Sequence, residues 1–189
     1  MALSIPIRKA ARLLREGGVV AYPTEGVFGL GCLPGDEDAA NRICEIKKRD
    51  PSAGLILIAA SREQLEPWAE LPQGGERLEG DMAHPVTWVL PPTAAVPPWI
   101  RGRHQGVAVR ITAHPVAAAL CAAADSALVS TSANISGRAP ARNPFVLRRV
   151  FGPLVDYIVP GECGPAGSAS EIRDFPSGRI LRPAGGAPR

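Results

Sequence analysis

The chain has 189 residues and a formal net charge of +3, and 46% of its residues are hydrophobic but only 5% aromatic. That length and apolar content suffice for the core of one domain and leave little room for a second. No apolar run approaches the roughly 18 residues that cross a membrane, and the N-terminal segment lacks the apolar centre of a signal peptide. We therefore expect a cytoplasmic protein that binds no membrane.

The charge is unevenly distributed along the chain. Residues 101–150 contain seven arginines and one acid, Asp125, whereas residues 61–81 contain six acids and two arginines. A locally basic segment in a nearly neutral protein indicates that an anionic ligand binds in one region.

The cysteines are scattered and form no CxxC pair; they are Cys32, Cys44, Cys121 and Cys163. Together with only three histidines, this spacing predicts reduced thiols and argues against a zinc site.

The N-terminal part predicts a helix, a strand and a glycine-rich loop. Ser4 begins the helix and Gly17 ends it, and a strand over 19–22 follows. The next stretch, PTEGVFGLG, is too rich in glycine for a regular element. It predicts either a loop that lets the backbone approach a ligand or a plain connection.

A second helix, capped by Asp36, ends in three bases, Lys47, Lys48 and Arg49. Cations at this helix end either stabilise the helix dipole or clamp a phosphate, because Arg offers a bidentate fork and Lys a mobile charge. We expect this helix end to be exposed. A buried strand over 55–58 follows.

The middle of the chain predicts two polar helical pieces over 61–81, in an exposed excursion, and then a strand over 86–90. A proline-rich loop that ends near Gly106 is expected to wrap the site. In the strand over 106–112, Arg110 lies on the face opposite the valines. Such a charge is either paired or binds an anion, and the lack of a nearby acid in the sequence favours the anion.

The most informative stretch is Ser130 to Gly137, STSANISG, which follows an apolar strand over 127–129. Hydroxyl, amide and glycine residues at a sheet edge predict a ligand site, because open α/β sheets bind ligands there. The alternative is a serine-rich loop that caps the next element. On either side of this stretch, His114 and Asn143 begin further helices.

Strands over 156–159, 168–173 and 179–182 complete the prediction. Helices alternate with strands at first and strands dominate late, which predicts a single-domain α/β fold with a twisted mixed β-sheet flanked by helices. We expect the domain to span 4–184 and the tail, 185–189, to be disordered. The sequence contains no P-loop and no GxGxxG motif, so a nucleotide would be held by other means.

Taken in order, these motifs resemble the YrdC-like family of threonylcarbamoyl-adenylate (threonylcarbamoyl-AMP) synthases, particularly its short bacterial members. The motifs that carry the resemblance are AYPTEGVFGLG, IKKRD before GLILI, PVTWVLP, VAVRIT before HP, LVSTSANISG, ASEIRD and ILRP. Lys47 and Arg49 match the family's KxR, and Ser132 and Asn134 match its SxN. Gly26 departs from the pattern, because many members have a second threonine there.

The resemblance implies a concave basic ligand cavity and a set of site residues. Lys47 and Arg49 would be catalytic; ATP would be bound by Lys47, Arg49, Ser132, Asn134 and Arg182. L-Threonine would be bound by Thr24, Arg110, Ser130 and Ser170, with Arg110 on its carboxylate. No residue would be dedicated to a metal.

The resemblance also implies a reaction in which ATP, bicarbonate and L-threonine give threonylcarbamoyl-adenylate and pyrophosphate. Mg²⁺ would accompany ATP. A partner transferase complex, TsaD and associated proteins, would use the product to make N6-threonylcarbamoyladenosine in tRNA.

Two alternatives remain open from the sequence. The basic segment could bind tRNA or double-stranded RNA, although it contains few aromatic residues to stack on bases. The chain could also be a paralogue that keeps the fold without the synthase activity, although its intact KxR and SxN argue against this.

Overall fold

The computed structural model describes residues 4–74 and 76–186 of the chain. Five α-helices lie within these residues: α1 (Ile5–Arg15), α2 (Glu37–Lys47), α3 (Pro98–Arg101), α4 (Pro115–Ala124) and α5 (Pro144–Phe151). Two short 3₁₀ turns cover Pro51–Ala53 and Glu76–Leu78. The strands are β1 (Val20–Pro23), β2 (Phe28–Gly31), β3 (Ile56–Ala59), β4 (Val86–Leu90), β5 (Val107–Ile111), β6 (Leu128–Ser132), β7 (Tyr157–Ile158), β8 (Glu171–Asp174) and β9 (Ile180–Arg182).

These strands form one mixed sheet in the order β7-β1-β2-β6-β3-β5-β4-β8-β9. The pairs β1/β7, β3/β5 and β4/β8 are parallel, and the other neighbours are antiparallel. β6 joins the two halves of the sheet, because it pairs with β2 on one side and β3 on the other. The predicted α/β fold with a mixed sheet is confirmed.

Helices cover both faces of the sheet. On one face, α1 and α4 pack through residues such as Leu14 and Leu120 against Tyr22 and Leu128. On the other face, α2 and α5 contribute Ile43, Leu147 and Phe151 to a second cluster that includes Leu57 and Val129. Successive residues of β1 and β6 therefore pack in the clusters on opposite faces of the sheet, because side chains alternate between the two faces along a strand.

Several sequence predictions are wrong in detail. The described residues within 61–81 form no α-helix: turns and the short 3₁₀ segment stand where the two helical pieces were predicted. The segment is also not a simple excursion, because Leu65, Ala69 and Leu78 are buried in the core. Pro67 explains the loss of the first piece, because it interrupts the backbone hydrogen bonds that a helix interior needs; nothing in the structure explains why the second piece forms only a 3₁₀ turn.

Two stretches predicted to be loops contain regular structure. Phe28–Gly31 forms β2 despite its two glycines, because both of its neighbours in the sheet, β1 and β6, pair with it. β6 extends to Ser132, beyond the predicted end at residue 129. Its hydroxyl residues therefore stand on a strand, not on a loop.

Two other features agree with the sequence. All four cysteines are free thiols, and none of the described helices is long and apolar enough to cross a bilayer.

The C-terminal tail was predicted to be disordered from residue 185. Gly185 N nevertheless donates to Ala169 O at 3.0 Å, and residues 187–189 lie outside the described residues. The domain boundary at 184 stays a prediction.

The first test concerns the N-terminus of α2, where the Asp36 carboxylate accepts a hydrogen bond from Ala39 N at 2.9 Å. Asp36→Ala should lower the free energy of unfolding by about 1 kcal/mol, because a helix N-terminal N–H loses its partner. Asp38→Ala, in the exposed first turn of the same helix, is the matched control and should cost less. Urea denaturation followed by circular dichroism compares them, and equal losses would contradict the capping role.

Candidate functional site

A cavity of about 890 Å³ opens beside the central strands, and all nine predicted site residues line it. They come from five parts of the chain: the β1–β2 connection, the end of α2, β5, β6 with its following loop, and the C-terminal segment around β8 and β9. The residues are Thr24, Lys47, Arg49, Arg110, Ser130, Ser132, Asn134, Ser170 and Arg182.

Lys47 is the last residue of α2 and is only 2% exposed, so the predicted exposed helix end is wrong. Its ammonium group donates to Ser132 O, to Asn134 O at 3.1 Å and to Asn134 Oδ1 at 3.0 Å. Burial, with the nearby Arg49 charge, lowers the pKa of Lys47 to about 7. Removing this side chain would therefore disturb the fold as well as the cavity.

The stretch 132–138 is held by its own polar groups. Ser132 Oγ donates to Asn134 Oδ1 at 2.6 Å, and Asn134 Nδ2 donates to Arg138 O at 2.9 Å. Ser136 N donates to Lys47 O at 2.8 Å, which satisfies a terminal carbonyl of α2. Lys47 of the KxR motif and the SxN motif thus form one hydrogen-bonded unit at the cavity wall.

Two arginines of the wall are anchored at one end of the guanidinium. Arg49 Nη2 donates to Ala53 O at 3.1 Å and Gly54 O at 2.9 Å, and Arg182 Nη2 donates to Ser170 O at 2.8 Å. The Nε atoms of both residues are buried and lack a partner. Each guanidinium is thus held at one end by backbone carbonyl oxygens, with no carboxylate among these partners.

Arg110 is paired, contrary to the preference drawn from the sequence. Its Nη2 lies 3.2 Å from Glu25 Oε2, and both side chains are almost fully buried. Glu25 Oε1 also accepts from Thr112 Oγ1 at 2.7 Å and Ala113 N at 3.1 Å. Burial opposes ionisation of Glu25, but Arg110 and these donors outweigh it and lower its pKa.

The hydroxyl groups on this side of the cavity are buried. Thr24 Oγ1 donates to Val27 O at 2.7 Å, and Ser170 Oγ lies 2.7 Å from Thr87 Oγ1. Ser130 is 6% exposed and stands on β6. Together with Arg110 these groups line the cavity with neutral donors and acceptors, a suitable environment for a small polar ligand.

The sequence prediction missed four charged residues that line the cavity: Glu25, Arg101, Arg138 and Arg142. Among the described lining residues Glu25 is the only acid, against seven Lys and Arg side chains. The PTEG stretch was recognised as important, but nothing local showed that its glutamate faces an arginine on a distant strand. The arginines were noticed only as part of the basic segment over 101–150.

A strap formed by residues 160–170 crosses the β1–β2 connection. Gly164 N donates to Thr24 O at 2.9 Å and Ala166 N donates to Glu25 O at 3.0 Å. A Cβ at Gly26 would overlap Ser168 O and lie 2.8 Å from Ser168 N. Glycine at this position thus lets the strap approach the β1–β2 connection. This close approach is a structural reason for Gly26 where many family members have a threonine.

Comparison with known proteins is consistent with this architecture. The family model Sua5_yciO_yrdC, described as "Telomere recombination", matches residues 12–184. Threonylcarbamoyl-AMP synthase of Nitrosococcus oceani is 53% identical over 179 residues, covering 93% of this chain and 96% of the relative. The synthase of Halorhodospira halophila is 51% identical over 178 residues, covering 93% of each chain.

A solved structure, P. abyssi Sua5 complexed with L-threonine, has a TM-score of 0.85 and 38% sequence identity. The match covers 95% of this chain and 54% of the Sua5 chain, so this chain spans about half of that protein.

The second test concerns the strap. Gly26→Ala should lower the free energy of unfolding by about 1 to 3 kcal/mol, because the added methyl group must displace the backbone at Ser168. Gly35→Ala is the matched control: a Cβ there meets nothing within 4 Å, and the change should be neutral or slightly stabilising. Chemical denaturation of both variants measures the difference, and equal stabilities would show that the strap moves freely.

Proposed function

Because this chain belongs to the Sua5/YciO/YrdC family, we infer that it is a threonylcarbamoyl-AMP synthase and propose how its residues perform the reaction. Curated relatives of that name align with this chain over nearly their whole length and are identical to it at about half of the aligned positions. The observation that carries the mechanism is the single cavity on which the nine predicted site residues meet. The alternative, a paralogue without synthase activity, is not favoured by these relatives.

We propose that ATP phosphates bind on the side of the cavity formed by Lys47, Arg49 and Arg182, with Ser132 and Asn134 as polar contacts. The support is the donor set: a buried ammonium and two guanidinium groups, each with an unpartnered Nε. Phosphate oxygens are the anions that such forks bind best. ATP would compete for hydrogen bonds that Lys47 now makes with Ser132 and Asn134.

L-Threonine is proposed to bind on the other side, with its carboxylate on Arg110 and its remaining polar groups near Thr24, Ser130 and Ser170. Arg110 retains a buried, unpartnered Nε beside its contact with Glu25. The Sua5 structure complexed with L-threonine supports this choice of ligand.

The reaction then needs little covalent help from the protein. The threonine amine and bicarbonate give a carbamate and water; a carbamate oxygen attacks the α-phosphorus of ATP, and pyrophosphate leaves with the electrons of the broken P–O bond. Negative charge grows on the phosphate oxygens, so Lys47 and Arg49 act as catalytic residues by position and charge. A partly enclosed cavity also limits the water that decomposes a carbamate.

Mg²⁺ is proposed to enter with ATP, where it neutralises phosphate charge. The described residues contain no group of three or more His, Cys, Asp or Glu side chains that could hold a metal ion. The one cavity carboxylate, Glu25, already faces Arg110 and Thr112. The donor set fits a metal whose ligands are phosphate oxygens and water, as Mg²⁺ prefers at nucleotide sites.

Partners and location remain proposals as well. An adenylate intermediate has to pass to an enzyme that transfers the threonylcarbamoyl group, for which we propose the TsaD-containing complex, in the cytoplasm. RNA contact is a weaker proposal, supported by exposed arginines at 138, 142, 148 and 149.

The third test is pyrophosphate release by the purified protein with ATP, Mg²⁺ and bicarbonate. Release should require L-threonine, and Arg49→Ala should reduce kcat/KM by at least about 100-fold, as the loss of a charged transition-state contact typically does. Arg148→Ala, on the exposed face of α5, is the matched control and should retain activity. Threonine-independent release, or a fully active Arg49→Ala variant, would overturn the proposed mechanism.

The fourth test uses the low pKa of Lys47, about 7 in the ligand-free protein. A polyphosphate beside this amine should raise its pKa, so ATP binding above pH 7 should take up a proton and weaken as the pH rises. Calorimetric titrations at pH 8.5 in buffers of different ionisation enthalpy measure the uptake.

Lys47→Met, if folded, should abolish this proton uptake, because the titrating amine is gone. The same uptake in the variant would place the titrating group elsewhere and remove Lys47 from the phosphate side.

A further inference from the structure

Glu25 lines the cavity but has so far no role in the reaction. It is 1% exposed, it lies in the β1–β2 connection, and it is the only acid among the described lining residues. A buried carboxylate in a cavity that would receive two anions should repel them unless a neighbouring cation balances its charge. The contacts of Glu25 show that Arg110 is that cation.

The Glu25 carboxylate meets the C-terminal end of β5 through hydrogen bonds at Oε1 and through an ion pair at Oε2, which has no hydrogen-bond partner among the described residues. Oε1 accepts from Thr112 Oγ1 at 2.7 Å and from Ala113 N at 3.1 Å, while Oε2 lies 3.2 Å from Arg110 Nη2. The two hydrogen bonds fix the carboxylate plane, and the plane fixes where the guanidinium can lie. The backbone carbonyl of Glu25 also accepts from Ala166 N in the strap, so main chain and side chain are both held.

Among the described residues Arg110 makes no ion pair other than that with Glu25, so Glu25 is its charged anchor. Arg110 is 8% exposed and stands on β5, between β3 and β4. Without an anchor, a buried guanidinium would swing toward solvent or toward the phosphates. With Nη2 beside Glu25, the guanidinium is held in the cavity that Thr24 and Ser170 also line.

We propose that Glu25 is a positioning residue that holds Arg110 ready for the carboxylate of L-threonine and keeps it away from the ATP phosphates. The inference rests on the proposed function, since it assumes that Arg110 binds that carboxylate. Glu25 itself does not contact the reacting atoms. It acts through Arg110, so its loss should affect threonine much more than ATP.

The decisive variant is Glu25→Gln, which keeps the shape and an oxygen for Thr112 and Ala113 but sets an uncharged amide against Arg110. The KM for threonine should rise at least about tenfold, because truncating a buried charged pair costs more than that factor. The KM for ATP and the kcat at saturating threonine should change less than about threefold. Glu66→Gln, an exposed glutamate outside the cavity, is the matched control.

Two further variants separate positioning from general stability. In an Arg110→Gln background, Glu25→Gln should add no further increase in the threonine KM, because the residue it positions is gone. Where Glu25→Gln fails to fold, Thr112→Val replaces it: the ion pair remains, one anchor of Oε1 is lost, and the threonine KM should still rise while the ATP KM does not.

Threonine binding to each variant is also measured directly by calorimetry, which separates the two levels of the proposal. Threonine binding without turnover in the wild-type chain would refute the synthase function but leave Glu25 testable by affinity. An unchanged threonine affinity in Glu25→Gln, or equal losses for threonine and ATP, would overturn the positioning role.

Discussion

The structure depends most on the contact between the end of α2 and the end of β6. There the Lys47 ammonium lies among Ser132 O and two oxygens of Asn134, and Ser136 N returns a hydrogen bond to Lys47 O. A buried ammonium is tolerated only where oxygens replace its water, so these residues must stay together. The same constraint aligns a helix that covers one face of the sheet with the strand that joins the sheet's two halves.

Charge is balanced differently on the two sides of the cavity. Lys47, Arg49 and Arg182 face oxygens of neutral groups, so no carboxylate on this side offsets the charge of the two arginines, or of Lys47 once it is protonated. Arg110 faces a carboxylate, so its net attraction for an anion is weaker and depends more on geometry. A polyanion and an amino acid carboxylate can therefore be told apart by charge before any shape is compared.

Much of the fold was predictable because its signals are local. The Asp36 cap, the break after Gly17 and the apolar runs of the central strands each show in a few neighbouring residues, and the structure has α2, the end of α1 and β3 to β6 close to those places. Local patterns indicated Lys47, Arg49, Arg110 and the stretch Ser130 to Gly137 as ligand sites, whereas the full set of nine residues and their roles came from resemblance to a family. The helix prediction for 61–81 was wrong because the apolar residues suit a helix while Pro67 does not. Leu65 and Leu78 are instead buried in the core by turns and a short 3₁₀ segment. The pairing of Glu25 with Arg110 and the burial of Lys47 were beyond local reasoning, since both arise only when distant strands meet.

Residues from the two ends of the chain meet in the cavity. Thr24 and Glu25 follow the first strand, whereas Ser170 precedes β8, Arg182 ends β9, and Gly185 hydrogen-bonds back to Ala169. Three parallel strand pairs, each closed by a long connection, have to form before these groups come together. A ribosome must therefore release almost the entire chain before the cavity proposed for ATP and L-threonine is complete, so a nascent or C-terminally clipped chain would lack part of that site.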